Sequence, residues 1–164
     1  MKTLIVSAFP GCGKTYLSNM QLSVGGGSKF IDKDNGHIAT AEDAEKYIQE
    51  IIALVGKYEI IFISQYPEVI KMLNLMGYKC VVVAPNNLPC ISNKSRTLIK
   101  QQWFGRFLLR GNRSEWIEIL KQNYEQWTDI EHLSSMNPEK IILLNENEYL
   151  TDILVDLQLI RETI

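Results

Sequence analysis

Near the N-terminus, Ala8-Phe9-Pro10-Gly11-Cys12-Gly13-Lys14-Thr15 puts two glycines, a lysine and a threonine at a spacing that suits a polyphosphate. Glycines let successive backbone N–H groups turn inward around phosphate oxygens, and a helix opening at Lys14 adds its positive N-terminus to the same anion. Lys14 is then the charge that reaches the outer phosphates. The Thr15 hydroxyl is placed to hold a Mg²⁺ that keeps most of its waters. Pro10, Gly11, Cys12, Gly13, Lys14, Thr15 and Tyr16 make up the candidate binding segment. Ala8 stands where the common pattern has its first glycine, and its methyl leaves the backbone path intact. At Cys12 a helix N-terminus would lower a thiol pKa, but a bystander is the preferred reading. A Gly-rich turn that merely joins strand to helix is the bland alternative; the position directly after the first apolar strand favours phosphate.

Phe30-Ile31-Asp32-Lys33-Asp34 sets two carboxylates two residues apart, just beyond a predicted strand. Ligands of open α/β sheets collect at the carboxyl edge of the strands, so Asp32 and Asp34 are expected to face the glycine loop. There a carboxylate accepts a proton from an attacking hydroxyl or holds a Mg²⁺ water, with Asp32 the first candidate. An Asx-type turn through Asp32, Asp34 and Asn35 is the competing explanation. The apolar run Glu59 to Ser64 ends in Ser64-Gln65-Tyr66, without a carboxylate, which argues against a motor ATPase or helicase.

The net charge of -2 conceals an asymmetry. Val69 to Ser114 carries eight basic residues and no Asp or Glu, while the remainder carries nine basic against nineteen acidic residues. Arg106 and Arg110, four apart on a predicted helix, share a face and are the candidates to compensate charge on a transferred phosphoryl group, ahead of Arg96 and Arg113. The same basic stretch, 94–113, suits a nucleic-acid backbone. Trp103, Phe107, Trp116, Tyr124 and Trp127 suit helix packing better than base stacking.

These residues need a scaffold. Thr3 to Ala8, Lys29 to Ile31, Glu59 to Ser64, Lys79 to Ala84 and Lys140 to Leu144 read as strands, most of them continuously apolar. Between them lie predicted helices over Lys14–Leu22, Ala44–Val55 with Thr40 and Asp43 as caps, Pro67–Met76, Lys94–Leu109, Ser114 to about Leu133, and Leu150–Arg161. Val24-Gly25-Gly26-Gly27-Ser28 breaks the first helix, and Asp32 to Gly36 is a polar turn. The alternation predicts an α/β fold, with about five parallel strands covered by helices on both faces. With 164 residues, 46% of them hydrophobic, the chain fits one ordinary domain. No apolar run approaches the ~20 residues of a spanning helix, so a cytoplasmic protein without membrane contact is expected. Three cysteines without paired spacing and two distant histidines argue against disulfides or structural zinc.

Glycine loop, acidic motif and late basic segment, in this order, resemble the P-loop kinases: nucleoside and nucleotide monophosphate kinases, with polynucleotide 5′-kinases as neighbours. Ser64 to Val69 and Val83 to Asn112 are similar to small phage-type P-loop proteins described as nucleotide kinase-like. The resemblance implies a three-layer P-loop fold over residues 1–164, with 94–133 as a helical lid insertion. It implies ATP and Mg²⁺ as cofactors and transfer of the γ-phosphate to a nucleoside, nucleotide or related acceptor. Lys14, Asp32, Asp34, Arg106 and Arg110 would be the catalytic set, with Thr15 and Asp32 on the metal, and Asn145-Glu146-Asn147 would lie beside the adenine. A polynucleotide 5′-hydroxyl kinase and a nucleotide-binding switch with little turnover are the alternatives.

Overall fold

The apolar runs become strands of a single sheet. A computed structural model describes residues 1–22, 29–34 and 38–164. Strands β1 (Leu4–Ala8), β2 (Phe30–Lys33), β3 (Ile60–Ile63), β4 (Cys80–Pro85) and β5 (Lys140–Leu144) lie in the order β2-β3-β1-β4-β5, all parallel. Every residue of β1, β3 and β4 is buried, so both sheet faces are covered there. At the edges, β2 and β5 are only partly buried.

Among the described residues the helices are α1 (Lys14–Leu22), α2 (Ala41–Ile52), α3 (Pro67–Leu75), α4 (Asn93–Leu109), α5 (Ser114–Trp127), α6 (Ile130–Ser135) and α7 (Leu154–Thr163). By the rule that parallel crossovers are right-handed, this strand order puts α1 on one face and α2 and α3 on the other, and α2 does pack on α3. From β1 the chain leaves toward β2, and from β3 it crosses over β1 to β4. The carboxyl end of β1 is therefore the point where strand order reverses and a crevice opens.

Local signals explain several boundaries. Thr40 and Asp43 form a reciprocal capping box at α2, with both bonds at 3.1 Å. Several boundaries differ from the sequence expectation: α2 begins and ends three residues earlier than Ala44–Val55, other ends move by a residue or so, and three differences have a visible cause. β2 runs from Phe30 to Lys33, so Asp32 lies inside the strand instead of beyond it; pairing of Asp32 with Phe62 extends the strand past the point where apolar character ends. The helix expected over Ser114 to Leu133 is two helices. Thr128 closes α5 by bonding the Tyr124 carbonyl (2.6 Å), and Asp129 caps α6 through the His132 amide (3.3 Å). Leu150–Ile153 is a 3₁₀ turn that leads into α7, started by Asp152 accepting from the Tyr149 amide (2.7 Å). The break at 24–28 and the turn residues Asn35, Gly36 and His37 lie outside the described residues. No helix among the described residues is long and apolar enough to cross a membrane.

Candidate functional site

Between β1 and α1, the carbonyls from Ala8 to Cys12 all have donors. Lys14 Nζ serves Ala8 (3.0 Å), Cys12 N serves Phe9 (3.3 Å), Trp103 Nε1 serves Pro10 (2.7 Å), Arg106 Nη1 serves Gly11 (3.3 Å) and Leu150 N serves Cys12 (3.0 Å). In a planar trans peptide, an oxygen held one way turns the following N–H the other way. The amides of Gly11 and Gly13 have no acceptor among the described residues. Those of Lys14 and Thr15 sit in the first turn of α1, where no intrahelical acceptor exists. Gly11 (φ +85°) and Gly13 (φ +98°) adopt the left-handed backbone that makes this path possible.

The side chains at the loop's exit are arranged in pairs. Lys14 is buried, with Nζ 3.9 Å from Asp34 Oδ2. Asp34 also accepts from Ser64 Oγ at the end of β3. Thr15 Oγ1 donates to Asp32 Oδ2 (2.7 Å), while Asp32 Oδ1 is buried and has no partner among the described residues. Asp32 and Asp34, two apart on extended chain, share a side, as the spacing requires. The carboxylate that β3 lacks at its end is supplied across the ladder by Asp34.

On its other flank the loop is covered by α4. Trp103, Arg106 and Phe107 are buried against it. The Arg106 guanidinium lies between the Trp103 ring (4.0 Å) and the Tyr149 ring (3.7 Å), and also donates to the Glu148 carbonyl (2.7 Å). Thus the C-terminal half of α4, in the segment read as a lid, forms a wall bonded to the loop. Arg106 is held by two carbonyls. Arg110, one turn on, is exposed, and its side chain forms no hydrogen bond or ion pair among the described residues.

These elements enclose a cavity of about 1050 Å³. That is the upper end of the ~300–1,000 Å³ usual for one small-molecule ligand. The loop from Ala8 to Tyr16, Asp34, Ser64-Gln65-Tyr66, Arg106, Arg110 and Tyr149 line it, with Trp116, Trp127 and His132 on the side of α5 and α6. Of the five aromatics weighed in the sequence, Trp103, Phe107 and Tyr124 are core and Trp116 and Trp127 reach the cavity. Neither Arg96 nor Arg113 does. Part of the basic stretch is matched by acids from elsewhere in the chain, Lys79 by Glu139 (3.3 Å) and Lys100 by Glu125 (2.8 Å).

No family model and no curated protein matches the chain. The site must be read from its own geometry.

Cys12 is fully buried, and burial pushes its thiol up to about 12 against the pull of Lys14, Arg106 and Arg110. The lowering considered for a helix N-terminus is therefore reversed, because the side chain turns into the core. Sequence reading missed Tyr149 and Glu148, which complete the Arg106 contacts, and Tyr47, whose hydroxyl lies at the β2–β3 edge of the site. No local pattern announces them: Tyr47 reads as one apolar position of an amphipathic helix.

Proposed function

We propose that this chain is a Mg²⁺- and ATP-dependent phosphotransferase of the P-loop kinase type, acting in the cytoplasm on a nucleoside, nucleotide or related acceptor. One observation carries the reading: between β1 and α1 the carbonyls are all drawn off by donors, leaving the amides of Gly11, Gly13, Lys14 and Thr15 without an acceptor among the described residues, beside a buried lysine at the point where strand order reverses. Gly11, Gly13, Lys14 and Thr15 would hold the phosphates. The Thr15–Asp32 pair, with one buried carboxylate oxygen unpartnered, offers the hard oxygen ligands that Mg²⁺ takes. Bound there, the metal would supply charge neutralisation on the phosphoryl oxygens.

Asp34 orients Lys14 and Ser64 and is the carboxylate that lines the cavity, which fits it to receive the acceptor's proton. Arg110, exposed on the cavity and unpaired, is free to meet phosphate charge, while Arg106 keeps the loop in shape. Neutralisation of Lys100 by Glu125, within the stretch 94–113, favours a compact acceptor over a polynucleotide backbone.

Labelled ATP, Mg²⁺ and a panel of nucleosides, nucleotides and 5′-hydroxyl oligonucleotides test the reading. Label should appear on a mononucleoside or mononucleotide and vanish with Lys14→Ala, folding being checked by circular dichroism. Transfer at the wild-type rate by that variant refutes the assignment. Binding without transfer to any acceptor leaves the switch reading instead, and salt-sensitive transfer to oligonucleotides the polynucleotide one.

A further inference from the structure

At the edge of the site the β2–β3 ladder is interrupted. Ile60 N donates to the Lys29 carbonyl (3.3 Å), and rungs of a parallel pair recur every two residues, so four residues on Ser64 N would meet the Lys33 carbonyl. Instead Ser64 N donates to Tyr47 Oη (3.1 Å), and Tyr47 Oη donates to the Lys33 carbonyl (2.5 Å). A phenol oxygen from α2 thus takes the place of the last rung. It holds apart two backbone groups that would otherwise pair directly.

The residues just beyond this wedge are those of the site. Asp34 follows Lys33, and Ser64, which lines the cavity with it, donates its hydroxyl to Asp34. Ser64 is fastened at all three of its polar groups: the amide to Tyr47, the hydroxyl to Asp34 and the carbonyl to Ser7 Oγ (3.4 Å). Tyr47 is wholly buried, its ring edge-on to Tyr66 at 6.4 Å. Burial raises its phenol pKa well above the ordinary value, which keeps the hydroxyl a donor.

The geometry points to Tyr47 as a positioning residue: its hydroxyl splays the carboxyl ends of β2 and β3 and so sets Asp34 and Ser64 at the floor of the cavity, facing Lys14. This rests on the phosphotransferase reading, but the wedge itself is independent of that reading. The variant Tyr47→Phe keeps the ring and removes only the wedge atom. The phosphate loop belongs to β1 and α1, and Asp32 is held inside the β2–β3 ladder opposite Phe62, before the wedge, so the Kd for Mg-ATP should stay within ~3-fold, while kcat for transfer falls ~10- to 100-fold, as displacements near 1 Å at a reacting centre do. A merely structural role would change Kd, kcat and thermal midpoint together, and that pattern overturns the inference, as does an unchanged kcat.

A crystal structure of the variant supplies the second measurement. Ser64 N should close on the Lys33 carbonyl and the Asp34–Ser64 contact should shift; strand ends that keep their separation overturn the wedge. Should the wild-type protein transfer no phosphate, the functional reading falls alone, and the crystal comparison still decides the role of Tyr47.

Discussion

Replacing Gly11 by alanine separates the two demands the loop makes on a glycine. At φ +85° an L-residue strains, at about 1–2 kcal/mol for the left-handed backbone. The added Cβ would also lie 3.0 Å from Phe107 Cε1 and 3.3 Å from Trp103 Nε1. Both rings are fully buried, and Trp103 is bonded to the Pro10 carbonyl, so neither can step aside. Overpacking of that kind adds about 1–3 kcal/mol. Gly13→Ala is the internal control: its φ of +98° brings comparable strain, but its Cβ meets only Tyr149 Cδ1 at 3.6 Å, an ordinary contact. Urea unfolding should therefore rank the proteins wild type, Gly13→Ala, Gly11→Ala, with the last destabilised by about 2–5 kcal/mol. Truncating Phe107 to leucine should recover part of the Gly11→Ala cost, measured as coupling in a double-mutant cycle. Equal midpoints for the two alanine variants, or no coupling to Phe107, would refute the claim that α4 is packed on the loop as a fixed wall.

Three further outcomes follow from the same geometry. Arg106→Lys keeps the charge but loses the planar group between Trp103 and Tyr149 and one of its two carbonyl bonds, and should lower stability by ~2–4 kcal/mol in urea titrations; a loss under ~0.5 kcal/mol would mean that the stack carries little. Cys12 and Cys80 are both buried and pushed up to about 12 from 9.0, whereas Cys90 is exposed. Between those values the unfolded chain has released the two protons and the folded chain has not, so stability should fall as pH rises from about 9 toward about 12 and be intact below 9. Mass spectrometry of native protein alkylated at pH 8 should find one labelled thiol, Cys90, and three after unfolding; rapid labelling of Cys12 in the native state would contradict its burial.

Much of the scaffold was legible because its signals are local. Continuous apolar runs gave four of the five strands, Thr40 and Asp43 gave the start of α2, and the two glycines before Lys14 marked the turn between β1 and α1. Boundaries slipped where a local signal met a tertiary one. The polar residue Asp32 was drawn into β2 by its partner strand, and Thr128 and Asp129 split one amphipathic run in two.

The chain by itself determined which residue types stand between β1 and α1, and hence that this turn can bare its amides, since glycine's backbone freedom and a helix start are properties of a few consecutive residues. Tertiary structure alone decided how those residues are used. Trp103 reaches back to Pro10 across ninety-three positions, Arg106 is locked between rings from two elements, Asp34 makes up for the acid that β3 lacks, and a tyrosine from α2 parts two strands. Contacts of that range depend on how helices pack on the sheet, and packing is set by the shape of the whole core, which no window of the sequence contains.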